Sequence, residues 1–337
     1  MTKTSNTPTR KDRTWQLPKH VFGVLALTGC LAANAQNLES TIELVVPTAA
    51  QGSTDLLARL VAQGLTKYGF GPVQVRNMPG RSGTLAAAYV AAAAPNGRTL
   101  LVATPSSHGI ASALDRNLPY DPILSFTPIV RFASAPYLLV VQPDRAANHV
   151  ALTEKAKLAS GGWTYSSTGT GGPHHLVAEF YFRKIGLSMQ HRPAAGGAAA
   201  LQMLQDGEVQ VMLPAAILAL PRIQQGKLKA LAVTGSQRLL ALPAVPTFNE
   251  TGVRMDMVSW YGLMAPAGMP TEQAEKLANG VTSVLADPMV QKSLSDMAIN
   301  VTAERGIEFL ETIKSEMRSW KALVNDLGLQ VDLVKTD

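Results

Sequence analysis

From residue 42 to residue 233 the chain alternates short, apolar, partly β-branched runs with stretches whose apolar residues recur at helical spacing. That order confines it to an α/β architecture, because parallel strands need a long crossover and a helix supplies one. Strands are predicted at 42–46, 73–76, 99–103, 138–141, 163–166, 209–213 and 228–233. Helices are predicted after residue 53 and near 83–94, 174–185, 198–205 and 216–225. Beyond Pro270 the pattern becomes helical only. Thr271 is the expected N-cap of a helix reaching Leu285, Asp287-Pro288 breaks it, and a last amphipathic helix covers 306–324. Two domains are expected for a chain of this length. No internal repeat or low-complexity linker separates them, so the chain should cross between domains in extended strands. The apolar, proline-terminated stretches 135–142 and 259–266 are the candidates. Two such crossings form a hinge over a cleft, the geometry of a ligand clamp.

The N-terminus reads as an export signal. Lys3, Arg10, Lys11, Arg13 and Lys19 precede an apolar stretch over 21–33 and the small-residue site Ala33-Asn34-Ala35. Residues 1–35 are expected to be removed, leaving a periplasmic protein. The rival reading is a lipoprotein box, Leu27-Thr28-Gly29-Cys30, which would anchor a surface-interaction protein through a lipid on Cys30. Cys30 is the sole cysteine, so cleavage after Ala35 leaves neither disulfides nor thiol catalysis. The formal charge of +6 is mostly the signal's. What remains is 25 basic against 23 acidic residues, with no basic patch interleaved with aromatics, which excludes a nucleic-acid footprint.

Two loops carry the candidate chemistry. The first, Thr48-Ala49-Ala50-Gln51-Gly52-Ser53-Thr54-Asp55, links the first strand to a helix patterned by Leu56, Leu57, Leu60, Val61 and Leu65. Ser53 or Thr54 can cap that helix, whose unpaired first-turn N–H groups suit a carboxylate or phosphate. An ordinary βα turn would look the same. Asp55, four residues before Arg59, is expected to fix its own loop by accepting N–H bonds rather than to act as a base. The second loop, Ser166-Ser167-Thr168-Gly169-Thr170-Gly171-Gly172-Pro173-His174-His175, repeats the strand–loop–helix arrangement in the other half. It is neither a dinucleotide fingerprint, whose third glycine falls on His174, nor a Walker loop. Adjacent histidines on a helix point about 100° apart and cannot share one metal as an i,i+4 pair does. One is expected to pack or cap locally and the other to be solvated. No metal or cofactor is expected. The enzyme alternative is a serine hydrolase using Ser167 or Ser106 with His175 or His108. G-x-S-x-G is absent, however, and Gly80-Arg81-Ser82-Gly83 is one residue out of that pattern.

Taken together, blocks along the chain resemble the substrate-binding proteins of tripartite tricarboxylate transporters, the Bordetella uptake gene (Bug) family. They are Val45-Val46-Pro47 through Gly52-Ser53-Thr54-Asp55 and Ala58-Arg59, Asn77-Met78-Pro79-Gly80-Arg81-Ser82-Gly83, and Leu118-Pro119-Tyr120-Asp121-Pro122. Gly169-Thr170-Gly171 with His175-Leu176 and Glu179 follows, then residues 226–234, Leu242-Pro243-Ala244-Val245-Pro246-Thr247 with Glu250, and Trp260, Gly262-Leu263 and Ala265-Pro266-Ala267-Gly268. The resemblance implies an α/β, two-domain periplasmic binding protein type II-like fold (a Venus flytrap) with two extended interdomain crossings. Its expected domains are 36–138 plus 262–337, and 139–261. It also implies a monomer that captures a small organic anion, usually a carboxylate, for a membrane permease or a membrane-bound sensor. Loop amides, hydroxyls and bridging waters would hold that anion. The ligand-lining set expected on this basis is Thr48, Ala49, Gln51, Gly52, Ser53, Thr54, Asp55, Arg81, Ser106, Ser107, Ser167, Thr168, Gly169, Thr170, Gly171, Gly172, His175, Arg192 and Gly196. The chain departs from the family pattern at four places. Ala50 and Gln51 replace proline and glycine, Arg81 stands where a small residue is usual, Pro193-Ala194-Ala195-Gly196 loses an aromatic and a cation, and Pro214-Ala215 follows the 209–213 strand. Gln51, with Arg81 or Arg192, is expected to supply new polar contacts in a cleft roomier on one side.

Overall fold

The computed structural model describes residues 1–2, 41–115, 117–159 and 162–328. The cleavage site and Cys30 lie outside the described residues.

Two sheets organise the chain from Ile42 onward. The first has strand order β11-β4-β10-β3-β1-β2, built from β1 (Ile42–Val46), β2 (Val73–Asn77), β3 (Thr99–Ala103), β4 (Phe126–Pro136), β10 (Val258–Pro266) and β11 (Asn300–Arg305). β1 pairs in parallel with β2 and β3, whereas β10 runs antiparallel to β3 and β4, and β11 antiparallel to β4. The second sheet has order β7-β6-β8-β5-β9: β5 (Leu138–Val141), β6 (Thr164–Ser167), β7 (Gln190–Pro193), β8 (Val211–Met212) and β9 (Lys229–Val233).

Both faces of each sheet are covered at its centre, which is why β1, β3, β5 and β9 read as continuous apolar runs, while the edge strands β2, β7 and β11 stay half-exposed. On the first sheet Leu44 and Val46 pack with Leu57, Val61 and Leu65 of α1 (Ser53–Lys67). Val45 faces the other way, toward Ala86, Ala87 and Val90 of α2 (Thr84–Ala91) and toward Phe309 and Ile313 of α10 (Gly306–Leu327). Each of the Leu, Val and Ile side chains among these, 0–1 % exposed, contributes roughly 1.5–3 kcal/mol by leaving water. Gly262 has a steric reason: a Cβ there would sit 2.2 Å from Phe309 Cζ. On the second sheet Leu139, Tyr165 and Val211 pack with α5 (Pro173–Lys184). The opposite face carries Leu138, Val140 and Met212 against α6 (Gly197–Gln205) and α7 (Ala216–Gln224).

The chain passes between sheets at one residue. β4 ends at Pro136 and β5 begins at Leu138, leaving Tyr137 as the junction. Its N–H donates to Thr234 Oγ1 at 2.9 Å, and Thr234 N–H donates back to the Tyr137 carbonyl at 2.9 Å. The return path differs from the sequence expectation. β10, including 259–266, lies entirely in the first sheet, and the chain recrosses ahead of it, between Thr234 and the Val258–Pro136 pair. Two further expectations are corrected. The C-terminal part is not helical only, because β11 adds an edge strand whose two apolar positions, Val301 and Ala303, are exposed and give no buried run. Pro270, not Thr271, occupies the N-cap of α8 (Thr271–Ala286), while Asp287 caps α9 (Pro288–Asp296) by accepting from Met289 N–H. The pattern also left unread β4 and α4 (His149–Leu158), a helix with one fully buried residue, Leu152. Ala111–Leu114 (α3) is a single short turn.

Candidate functional site

The first loop is held from beneath by Asp55, which is 1 % exposed. Its Oδ2 accepts from Gln51 N–H (2.8 Å) and Arg59 Nε (3.0 Å). Its Oδ1 accepts from Asn77 Nδ2 (2.9 Å) and pairs with an Arg59 terminal nitrogen (2.9 Å). Asn77 Nδ2 also donates to the Thr48 carbonyl at 3.1 Å. Burial pushes the Asp55 carboxyl up, but the bonds from Arg59, Gln51 and Asn77 outweigh it and its pKa lies below the usual range. A carboxylate so engaged has no oxygen for a ligand, so Asp55 leaves the lining set and becomes a positioning residue. The sequence reading of Asp55 as a loop anchor matches this geometry; the pair is not an exposed one, as only Arg59 is exposed.

Neither Ser53 nor Thr54 caps α1. Gly52 stands at the N-cap in an extended conformation with no side-chain cap bond, so Ser53 and Thr54 lie in the first turn. Thr54 is buried, and the Ser53 hydroxyl meets that of Tyr261. Gln51, half of the new polar contact expected from sequence, sits at φ +67°, in the left-handed region that favours glycine. Ala49 and Gln51 are exposed, and Thr48 Oγ1 is buried without a partner. Arg81 and Ser82 are left-handed too (φ +48° and +51°), in the short turn Arg81–Gly83.

The second loop is tied by histidines. Thr168 Oγ1 lies 2.8 Å from His174 Nδ1, and Gly171 N–H donates to His175 Nδ1 at 3.0 Å. Ser167 Oγ is 2.8 Å from His191 Nε2 and 2.9 Å from the Gly169 carbonyl. The His175 and His191 rings stack at 4.0 Å, and Tyr165 stacks on His191 at 4.9 Å. Burial lowers all three imidazoles to about 4, so they are neutral at neutral pH. The expected solvated histidine is therefore absent from this pair: His174 turns toward Tyr137 and His175 is buried against His191. Gly172 is the extended N-cap of α5, and Gly169 (φ +137°) and Gly171 (φ +75°) shape the turn around Thr170.

These contacts remove the hydrolase arrangement. Ser167 pairs with His191 rather than His175, and it is fully buried. His108 Nδ1 is taken by Ser107 Oγ at 2.9 Å, not by Ser106, and both residues are fully buried. Ser107 also caps its own turn, accepting from Thr104 N–H at 3.3 Å, so its hydroxyl is committed to internal bonds. Ser106 keeps partial exposure. Arg192 leaves the lining set as well: its guanidinium donates to the Glu208 carbonyl, next to the start of β8 and away from the loops that follow the strands. Gly196 remains, as the N-cap of α6 at φ +109°. Among the described residues no group of three or more His, Cys, Asp or Glu could hold a metal.

What sequence reasoning missed is the floor between the loops. Tyr137, at the junction, is fully buried and meets the His174 ring edge-on, with centroids 5.6 Å apart. Its hydroxyl lies near Ser259 and Tyr261 but makes no sound hydrogen bond. Tyr261 in turn reaches Ser53. The path Ser53, Tyr261, Ser259, Tyr137, His174, Thr168 thus joins the start of α1 to the start of α5. The turn Pro105–Ile110 packs against both α5 and α10 beside it. The signal was present in the flagged crossings, 135–142 and 259–266, whose side chains were read only as apolar strand.

The family model for the tripartite tricarboxylate transporter family receptor matches residues 57–329. The chain belongs to this receptor family. A UPF0065 protein of Bordetella pertussis is 29 % identical over 94 % of this chain and 98 % of its own. Among solved structures, a Rhodopseudomonas palustris protein with adipate is 28 % identical with a TM-score of 0.82, covering 86 % of this chain and 98 % of its own. MatC of the same organism, with bound malate, is 31 % identical with a TM-score of 0.78, covering 84 % and 98 %. The Bug resemblance and the two-domain binding-protein fold read from sequence therefore hold. The similarity is to receptors, and no enzyme chemistry attaches to the family by that description.

Proposed function

We propose that this receptor captures a small organic carboxylate between two lobes, 42–136 with 258–328 and 138–233, and delivers it to a membrane permease or sensor. The observation that supports the reading is the pair of strand–loop–helix units, one per sheet, with Tyr261, Ser259, Tyr137 and His174 linking the start of α1 to the start of α5. Each helix terminus favours an anion by roughly 0.3–1 kcal/mol, up to ~2 when partly buried. Loops that spend their carboxylate and imidazoles on internal bonds offer N–H and O–H donors but no base for catalysis. The similarity to proteins solved with adipate and with malate supports a carboxylate. Ala49, Gln51, Gly52, Ser53, Arg81, Ser106, Thr168, Gly169, Thr170, Gly171, Gly172 and Gly196 remain the proposed lining, with export through residues 1–35 and a monomeric state.

Thermal melts and calorimetry against mono-, di- and hydroxycarboxylates test this. A true ligand at a hundredfold excess over its Kd stabilises by about 2.7 kcal/mol. Small-angle scattering should show the closing of the lobes at the same concentration. A panel that leaves both the melt and the scattering unchanged would overturn the receptor reading. An intact mass beginning at Gln36 would support export by cleavage, and a lipidated N-terminus at Cys30 would replace it.

A further inference from the structure

The charge of the chain is divided unevenly between the lobes. Residues 138–257 hold eleven Lys and Arg against seven Asp and Glu, whereas 42–136 with 258–328 hold thirteen of each. Part of the excess gathers at one end of the second sheet. β5 runs antiparallel to β8 and β6 parallel to it, so β5 finishes where β6 starts, at the end away from the Ser167 loop. α4 joins the two strands across that end and carries Lys155 and Lys157. Lys155 Nζ donates to the Arg145 carbonyl at 2.9 Å. The Arg145 guanidinium donates to Gln142 Oε1 at 2.7 Å and lies over Trp163, 5.9 Å from its ring centroid. Lys229 Nζ, at the start of β9, donates to the Ala146 and Ala147 carbonyls. Neutral oxygens hold these cations. Among the described residues Arg145, Lys155, Lys157 and Lys229 form no ion pair with an acid. Apolar groups project at the same place: Leu158, the last residue of α4, is 85 % exposed, and Val150 in its first turn is 51 % exposed. Beside them opens a cavity of about 450 Å3 lined by Gln142, Pro143, Asp144, Arg145, Lys155 and Trp163.

Cations without acid partners, next to a projecting leucine, suit the surface of an anionic bilayer. Each Lys or Arg near such a surface raises affinity roughly fivefold, and apolar side chains enter the headgroup layer. An acidic protein could meet the charges, but Leu158 would then need an apolar socket in one fixed register. Acyl chains receive it in any register. We propose that this end of the second lobe, centred on Arg145, Lys155, Lys157 and Leu158, is a peripheral docking surface for an anionic phospholipid bilayer. The two ligand loops are left free, because the second of them lies at the opposite ends of the strands. The surface is assembled from the flanks of β5, α4 and β9, so no run of sequence shows it. It stands independently of the carboxylate reading.

Co-sedimentation of the exported protein, free of residues 1–35, with lipid vesicles tests it. Vesicles of phosphatidylcholine mixed with phosphatidylglycerol should bind it at least about tenfold more tightly than pure phosphatidylcholine at low salt. That binding should vanish near 1 M salt, where the screening length falls to about 3 Å. Lys155→Glu combined with Lys157→Glu should weaken it roughly thirtyfold or more, at about fivefold for each cation lost. Leu158→Ser should weaken it severalfold and leave its salt dependence in place. These three positions are exposed, so an unchanged melting temperature reports that the fold is intact. Lys276→Glu combined with Lys292→Glu, the same charge change on the first lobe, should leave vesicle binding as it is. No binding, equal binding to both vesicle types, an α4 double variant that binds like the parent, or an equal loss in the first-lobe variant would overturn the docking surface. So would binding to native membranes that disappears when their proteins are digested, which would give the surface to an acidic protein instead.

Discussion

Gln51 offers a direct test of the first loop, because its backbone conformation and its side-chain identity disagree. Its φ of +67° places an L-residue in the left-handed region, which costs roughly 1–2 kcal/mol for a residue with a Cβ. The turn is held there because Gln51 N–H donates to a buried Asp55 that is itself fixed by Arg59 and Asn77. Replacing Gln51 by Gly removes the steric cost but gives the unfolded chain more freedom, worth about 0.4–1 kcal/mol in the other direction. The net expectation is a gain of about 0.5–1 kcal/mol. Unfolding entropy of ~2.1 cal/mol/K per residue over roughly 290 residues makes that a rise in Tm of about 1–2 °C. Gln51→Ala retains the Cβ and should melt with the parent, whereas Gln51→Val, β-branched at positive φ, should melt below it. Replicate calorimetric scans of the four proteins give the ranking Gly above Gln and Ala, and Val last. If glycine lowers the melting temperature, or if valine is neutral, the left-handed turn is not the conformation in solution and the anchoring role of Asp55 falls with it.

Asp55→Asn should destabilise by about 1–3 kcal/mol in urea titrations, since the Gln51 amide and Asn77 lose a charged acceptor while the half-exposed Arg59 is resolvated by water. Because the folded-state carboxyl lies below its ordinary value, the parent's advantage is present above pH 4 and disappears as pH falls through the folded value. Gly262→Ala should cost about 1–3 kcal/mol by collision with Phe309, and a Phe309→Leu partner in a double-mutant cycle should recover part of it. Stability should fall on acidification well before the carboxylates protonate. His174, His175 and His191 titrate near 4 when folded, and His108 near 3, against 6.5 ordinarily, so the unfolded chain binds more protons. The contribution is whole above pH 6.5 and is lost toward pH 4, at up to about 1.4 kcal/mol per pH unit for each imidazole. His191→Asn should remove that ring's share of the slope in a pH series of melts, and an unchanged slope would mean the His191 ring is solvated.

The α/β class, most of the strands and the two βα loops were legible because buried strands and amphipathic helices write their periods into local sequence. The strand β11 was not, since its brief alternation of Val301 and Ala303 is exposed and marks no core face; its partner β4 lies well over a hundred residues earlier. The loop anchor Asp55 was legible because its donors include its own neighbours. Arg192 was misjudged for the complementary reason, as nothing local says that a guanidinium beside a glycine loop will fold back to the Glu208 carbonyl.

By itself the sequence determined that two strand–glycine loop–helix units exist, one in each half, with donors suited to an anion. Only the tertiary structure decided what lies between them. Tyr137, His174, His191 and the β10 pair Ser259 and Tyr261 come from four separate segments, and each reads alone as ordinary core or loop. Their meeting depends on where the chain steps from one sheet to the other at Tyr137 and on β10 lying beside that step, and a contact between distant segments leaves no period in either.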